Sequence, residues 1–190
     1  MMEAFTGFCT GMIDFPGKLA MTLFFNGCNL NCSFCHNKIV VRGEAVYSLK
    51  DIAHHLNRMQ LAFHTQKVGI VLSGGEPTCH PEFHNAVRFF FGRPLALQSN
   101  GLVLPRNIRN PFESVILSLK PTSEVSIMPE QEYIGRLRCA LEYYSSAKYR
   151  ELRIVDFPKY KDDYGASLEK LSGDLLNRWT VKWVQPNKEV

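Results

Sequence analysis

Short apolar, β-branched-rich runs alternate along this chain with stretches of helical periodicity, and that alternation restricts the fold more than any other feature. Residues 19–25 (LAMTLFF), 68–72 (VGIVL), 94–97 (PLAL), 114–119 (SVILSL), 151–155 (ELRIV) and 180–184 (TVKWV) each read as a buried strand stopped by polar or turn residues. Between them lie helical faces: Leu49, Ile52, Ala53, Leu56, Met59 and Phe63; Phe83, Ala86, Val87 and Phe90; Ile134, Leu137, Leu141 and Tyr144; Leu168, Leu171 and Leu175. Ser48 followed by Asp51 reads as a capping box for the first of these helices. The stretch GLVLPRNIRNPFE, residues 101–113, has Pro105 and Pro111 and leaves room for one helical turn or two. Strand–helix alternation implies parallel strands joined by right-handed crossovers. Six such units predict an α/β fold, an open partial (β/α)6 barrel over residues 1–190 as a single domain, with a flat doubly wound sheet as the alternative.

The polar and glycine-rich clusters all follow strands. Three cysteines follow the first run, SGGEPT (73–78) the second and QSNG (98–101) the third, while Lys120 closes the fourth. In β/α barrels that edge carries the chemistry, so these groups are expected to converge on one mouth.

The cysteines, Cys28, Cys32 and Cys35, are spaced C-x3-C-x2-C within FNGCNLNCSFCHN. A structural zinc site takes four protein ligands, and the loop offers three thiols. His36 adjoins Cys35, and consecutive residues rarely reach one ion. Catalytic zinc sites with an open position lean on histidine. Thiolates also suit a 4Fe–4S cluster, in which three cysteines leave one iron open for a small molecule. Of the six cysteines in the chain, Cys9, Cys79 and Cys139 are scattered singly and read as small apolar fillers.

At this point the sequence resembles a known family. C-x3-C-x2-C is the signature of radical S-adenosylmethionine enzymes, and SGGEPT resembles their GGEP motif. The flanking residues, GMIDFPGKLAMTLFFNGCNLNCSFCHN with DFPG at 14–17 and CHN at 35–37, resemble the glycyl-radical-enzyme activating proteins. Within that group they are most similar to the activators of anaerobic ribonucleoside-triphosphate reductase. Similarity is clear from residue 11 to about 78, weaker to about 120, and confined to the alternation thereafter.

The resemblance implies a radical SAM barrel, one cluster held by Cys28, Cys32 and Cys35, and S-adenosylmethionine bound to the open iron. It implies cofactor contacts from Phe34, His36, Gly74, Gly75, Glu76, Ser99, Ser118 and Lys120. For Glu76, capping the next helix is an equal alternative. It implies that an external one-electron donor, such as a flavodoxin or ferredoxin, drives cleavage to methionine and a 5′-deoxyadenosyl radical, which takes a hydrogen from a glycine of the partner enzyme. Pyruvate formate-lyase activating enzymes carry DTNG and DIK where this chain has QSNG and SLK, so Gln98 and Ser118 replace two carboxylates that help hold a monovalent cation, and Ser99 replaces the threonine. Lys120 is then the expected partner of the cofactor carboxylate, with Ser99 or Ser118 donating a hydrogen bond.

Other readings are a radical enzyme acting on a small molecule, such as a deazapurine carboxylate synthase, or on another glycyl radical enzyme of the pyruvate formate-lyase type. From another class come a non-catalytic iron–sulfur electron carrier and a zinc-binding interaction module. His54, His55, His64, His80 and His84 show no ligand spacing and read as surface or helix residues. Asp156 reads equally as a mouth residue or a turn. Phe83, Phe89, Phe90 and Phe91 read as core. With net charge +4, no basic–aromatic interleave for nucleic acid and no run of about 20 apolar residues, the chain is expected to be cytoplasmic, with reduced thiols and neither membrane nor nucleic acid as partner.

Overall fold

A computed structural model describes residues 2–63, 67–125 and 127–185. His64 lies outside the described residues. Eight strands form one sheet: β1 (Glu3–Gly11), β2 (Ala20–Phe25), β3 (Tyr47–Ser48), β4 (Gly69–Gly74), β5 (Leu95–Ser99), β6 (Ser114–Leu119), β7 (Tyr149–Val155) and β8 (Thr180–Val184). The helices are α1 (Lys38–Arg42), α2 (Leu49–Ala62), α3 (Phe83–Phe89), α4 (Glu130–Tyr143) and α5 (Lys161–Leu171). The strand order is β3-β1-β2-β4-β5-β6-β7-β8. From β2 to β8 every neighbouring pair is parallel and follows chain order. A doubly wound sheet reverses its order at a switch point. Here none occurs, so the right-handed crossovers stack their helices on one face, as in a β/α barrel. Among the described residues the sheet does not close, and the six parallel strands are those expected from the sequence.

Alternation along the strands separates two faces. Leu23, Leu72, Leu97, Val115, Leu117, Leu119, Leu152 and Ile154 pack with Ile52, Leu56, Phe83, Leu137 and Leu141 in the main core. The opposite parity carries small or polar residues: Ala20, Thr22, Val71, Ser73, Ala96, Gln98 and Ser118. This inner face is closed at its floor by Phe15, which is fully buried against Ala20, Val71 and Ala96. A Cβ on Gly69 would come within 2.9 Å of the Phe15 ring, so a glycine there admits the plug. DFPG is thus the segment that seals one end of the barrel.

Several local expectations change. Residues 3–11 form β1, antiparallel to β2, although their polar and glycine-interrupted sequence gives little strand signal. The Ser48–Asp51 capping box is present. Residues 101–113 cross from β5 to β6 without a helix, and α5 ends at Leu171, so Leu175 lies beyond it. Phe83 and Phe90 are core, but Phe89 and Phe91 face solvent, the latter 78% exposed, because they follow the buried face of α3 by the wrong fraction of a turn. Cys9, Cys79 and Cys139 are exposed and fill no core gap. No helix among the described residues is long and apolar enough to cross a membrane.

Candidate functional site

Each cluster after a strand meets its neighbours above the inner face. The cysteine loop leaves β2 through Gly27, whose φ of +71° turns the chain. The loop is then stitched to the turn after β4. Gly75 N–H donates to the Phe25 carbonyl and Glu76 N–H to the Gly27 carbonyl, both at 2.9 Å. Asn37, which ends the loop, donates through Nδ2 to the Gly74 carbonyl at 3.0 Å. Gly74 and Gly75 are required for this contact. A Cβ would meet Phe25 O at 2.4 Å from Gly74 and Gly27 O at 1.8 Å from Gly75. The glycines therefore serve the approach of one loop to another, beyond any approach to a ligand.

The three cysteines are free thiols. Cys32 is buried, and Cys28 and Cys35 are half-exposed. Cys35 N–H donates to the Cys32 carbonyl at 3.2 Å, closing the C-x2-C turn, and Leu30 N–H donates to Cys28 Sγ at 3.4 Å. Burial pushes the Cys28 and Cys32 thiols up, while Lys120 pulls Cys32 down. Among the described residues no three His, Cys, Asp or Glu side chains gather as around a single ion. A 4Fe–4S cluster assigns each thiolate its own iron, and three soft, unpaired donors on one glycine-hinged loop fit that group.

Glu76 is 1% exposed. Its carboxylate accepts from Thr78 N–H (3.2 Å), Thr78 Oγ1 (2.6 Å), Ser99 Oγ (2.8 Å) and Asn100 N–H (2.6 Å). Burial pushes its pKa up, against the pull of these donors. Three of these donors meet Oε1 and one meets Oε2, so the side chain caps the following 3-10 turn and clamps the β4 and β5 loops together. Ser99 also accepts from Gly101 N–H at 2.9 Å. Its hydroxyl proton is committed to Glu76; of the two serines expected near the cofactor carboxylate, the half-buried Ser118 is the one whose hydroxyl makes no hydrogen bond among the described residues.

Lys120 turns toward the cysteine loop. Its Nζ lies 5.8 Å from the centre of the Phe34 ring, and its peptide is held on both sides by the Tyr133 hydroxyl of α4, at 2.8 Å each. Phe34 packs against Phe157 and Tyr160, with ring centres 5.1 and 5.6 Å away. His36 is exposed on the loop; burial of its ring, then the cations Lys120 and Arg153, holds its imidazole below the usual range. Arg153, on the inner face of β7, is a mouth cation that the sequence reading missed, and its alternation with buried Leu152 and Ile154 was the available signal. Below, Asp14 accepts from Thr22 Oγ1 (2.8 Å) and Gln98 Nε2 (3.2 Å), and Ser73 Oγ donates to Gln98 Oε1 (2.8 Å). Gln98 is thus held inside a polar network.

The remaining candidates have structural roles. His80 lies between Asn26 Oδ1 (3.1 Å) and the Glu82 N–H (3.1 Å). Asp156 N–H donates to the Val184 carbonyl at 2.8 Å, extending the pairing of β7 with β8, and its carboxylate accepts from Gln185 Nε2 at 3.3 Å. Cys79 shares with Cys28 and His80 the lining of a cavity of about 510 Å³. Burial, then Glu76 and Cys28, pushes its thiol up to about 11.

Comparison with known proteins agrees with this geometry. Residues 22–120, just over half of the chain, match the model of the Radical SAM superfamily. The chain is 35% identical over 75 residues to a pyruvate formate-lyase-activating enzyme of Clostridium pasteurianum, covering 38% of this chain and 31% of the relative. It is 30% identical over 93 residues to a protein named as a glycyl-radical enzyme activating enzyme in Methanocaldococcus jannaschii, covering 47% and 36%. The matched region spans about a third of the length of these curated relatives. The fold is similar to that of QueE from Escherichia coli, with a TM-score of 0.53 at 15% identity over 96% of this chain and 93% of that one.

Proposed function

Because the chain belongs to the radical SAM superfamily, we propose that it activates a glycyl radical enzyme, specifically an anaerobic ribonucleoside-triphosphate reductase, as a single domain over residues 1–190. The superfamily's cofactors are a 4Fe–4S cluster and S-adenosylmethionine. When bound, and reduced by an external one-electron donor of the flavodoxin or ferredoxin class, they supply reductive cleavage of a carbon–sulfur bond and removal of a hydrogen atom from a glycine Cα.

The chain's own residues hold and orient. Cys28, Cys32 and Cys35 would each ligate one iron. The backbone of Gly74 and Gly75, beside the loop, would meet the methionine end of the cofactor. Lys120, with its peptide fixed by Tyr133 and its cation turned toward the loop, would pair with the cofactor carboxylate, and the free hydroxyl of Ser118 would donate to it. Phe34 and His36 would bound the site from the loop side. The unclosed sheet leaves a mouth that a loop of a large protein can enter.

The observation that supports this reading is that the cysteine loop and the glycine turn lie within the superfamily-matched residues 22–120 and are hydrogen-bonded to each other, in a chain 35% and 30% identical over part of its length to two glycyl-radical activators. A second reading, activation of a pyruvate formate-lyase-type enzyme, is favoured by the 35% identity to such an activator. Gln98 and Ser118, neutral where those enzymes carry carboxylates, weigh against it. The test is anaerobic reconstitution, reduction, and incubation with a ribonucleoside-triphosphate reductase and, separately, a pyruvate formate-lyase. A glycyl doublet in electron paramagnetic resonance on the reductase alone supports the first reading, and a doublet on the lyase alone the second. Cofactor cleavage with no doublet on either protein overturns both in favour of a small-molecule substrate.

A further inference from the structure

Ser33, between Cys32 and Phe34, is gripped from outside its loop at every polar group. Glu124, on the short turn after β6, accepts from Ser33 N–H at 2.8 Å and from Ser33 Oγ at 2.7 Å. The Ser33 carbonyl accepts from Lys38 Nζ at 2.8 Å. Glu124 is itself anchored. The Tyr160 hydroxyl donates to it, and the turn that carries it is fixed by Asp163 of α5. The Asp163 carboxylate accepts from Thr122 N–H (2.9 Å), Ser123 N–H (3.1 Å), Ser123 Oγ (2.8 Å) and the Thr122 hydroxyl. A carboxylate from the second half of the chain is thereby held at the centre of the C-x2-C turn. Two cations face the same turn: Lys38 Nζ on the Ser33 carbonyl, and Lys120 Nζ, 5.8 Å from the centre of the Phe34 ring.

We propose that Glu124 is a positioning residue that keeps the cluster held by Cys28, Cys32 and Cys35 strongly reducing. This rests on the cluster reading given above. Two effects act in one direction. A fixed negative charge beside Cys32 opposes arrival of an electron on the cluster. Glu124 also takes the Ser33 N–H, a backbone donor of the cysteine turn that would otherwise be free to hydrogen-bond cluster or cysteine sulfur, and such bonds stabilise the reduced, more negative state. Lys120 and Lys38 oppose the first effect, so the potential reflects a balance between Glu124 and these cations.

The experiment compares wild type, Glu124→Gln, Glu124→Asp and Lys120→Met after anaerobic reconstitution. Midpoint potentials are read by mediated titration, and cluster retention by iron release to a chelator. Glu124→Gln keeps the length and loses the charge, and its midpoint should move positive. Glu124→Asp keeps the charge but falls one methylene short of Ser33. Its midpoint should move positive by less than in Glu124→Gln, because only the Ser33 N–H is released, while iron release quickens severalfold. Lys120→Met leaves Ser33 untouched and should move the midpoint negative, which decides the matter even if Glu124→Gln takes up no iron. An unmoved midpoint in fully loaded Glu124→Gln, equal shifts in Gln and Asp, or an unmoved Lys120→Met overturns the proposal while leaving the cluster reading intact. A wild-type chain that takes up no cluster overturns both.

Discussion

A methyl group on Gly75 would sit 1.8 Å from the Gly27 carbonyl oxygen, far inside any tolerated contact, and the obstacle is backbone that must itself move. Gly75→Ala is therefore expected to displace the cysteine loop. Iron content after reconstitution should fall together with S-adenosylmethionine binding; a variant that keeps its iron and loses only the cofactor would mean that the glycine serves the ligand alone. Lys120 makes a different prediction. Loss of a charge-assisted hydrogen bond costs about 1.5–3 kcal/mol, or ~10–100-fold in affinity. Equilibrium binding of S-adenosylmethionine to reconstituted Lys120→Met should show that loss. Wild-type binding should be the same in sodium, potassium and large organic-cation buffers, because neutral Gln98 and Ser118 stand where a cation would need carboxylates.

At the scale of elements, the barrel floor and the brace on the cysteine loop carry separate loads. Phe15 fills the space under β2, β4 and β5 and is fully buried, so Phe15→Ala should destabilise the protein by about 3–5 kcal/mol, read as a lower urea midpoint. In the brace, burial pushes Asp163 up, but the donors from Thr122 and Ser123 outweigh it and hold the carboxyl below the usual range. A depressed carboxylate contributes stability above its unfolded pKa of about 3.9 and loses it as pH falls through the lower folded value. Melting temperature against pH should therefore decline below about pH 4, less steeply in Asp163→Asn. These elements were unequally legible. Runs such as VGIVL and SVILSL announce buried strands by composition alone, and C-x3-C-x2-C marks candidate ligands by spacing. The clamp of Glu76 on Ser99 and Asn100, the grip of Glu124 on Ser33 and the mouth position of Arg153 depend on which loops the sheet brings together. No local pattern encodes that, and β1, with Gly7, Cys9 and Thr10 in its nine residues, lacks the apolar alternation that marks a strand.

On the scale of the whole molecule, the shared family segment stops at Lys120, yet several groups that hold Ser33 and Phe34 lie beyond it, in Glu124, Phe157 and Tyr160, with Asp163 fixing the turn of Glu124. A fragment of residues 1–120 should consequently fail to retain iron and should melt without a sharp transition by circular dichroism, whereas the 190-residue chain should retain iron and melt sharply. The strand order has a consequence for synthesis. From β4 onward each strand pairs with the last parallel strand made before it and leaves an open edge for the next, while β3, made between β2 and β4, pairs with β1 at the other edge. A chain emerging from the ribosome can lengthen its sheet strand by strand, without holding an earlier segment unpaired until a distant one arrives. The cysteine loop is the exception. It is translated early, and its thiols wait for Glu124, Tyr160 and Asp163 to emerge before the turn that carries them is locked.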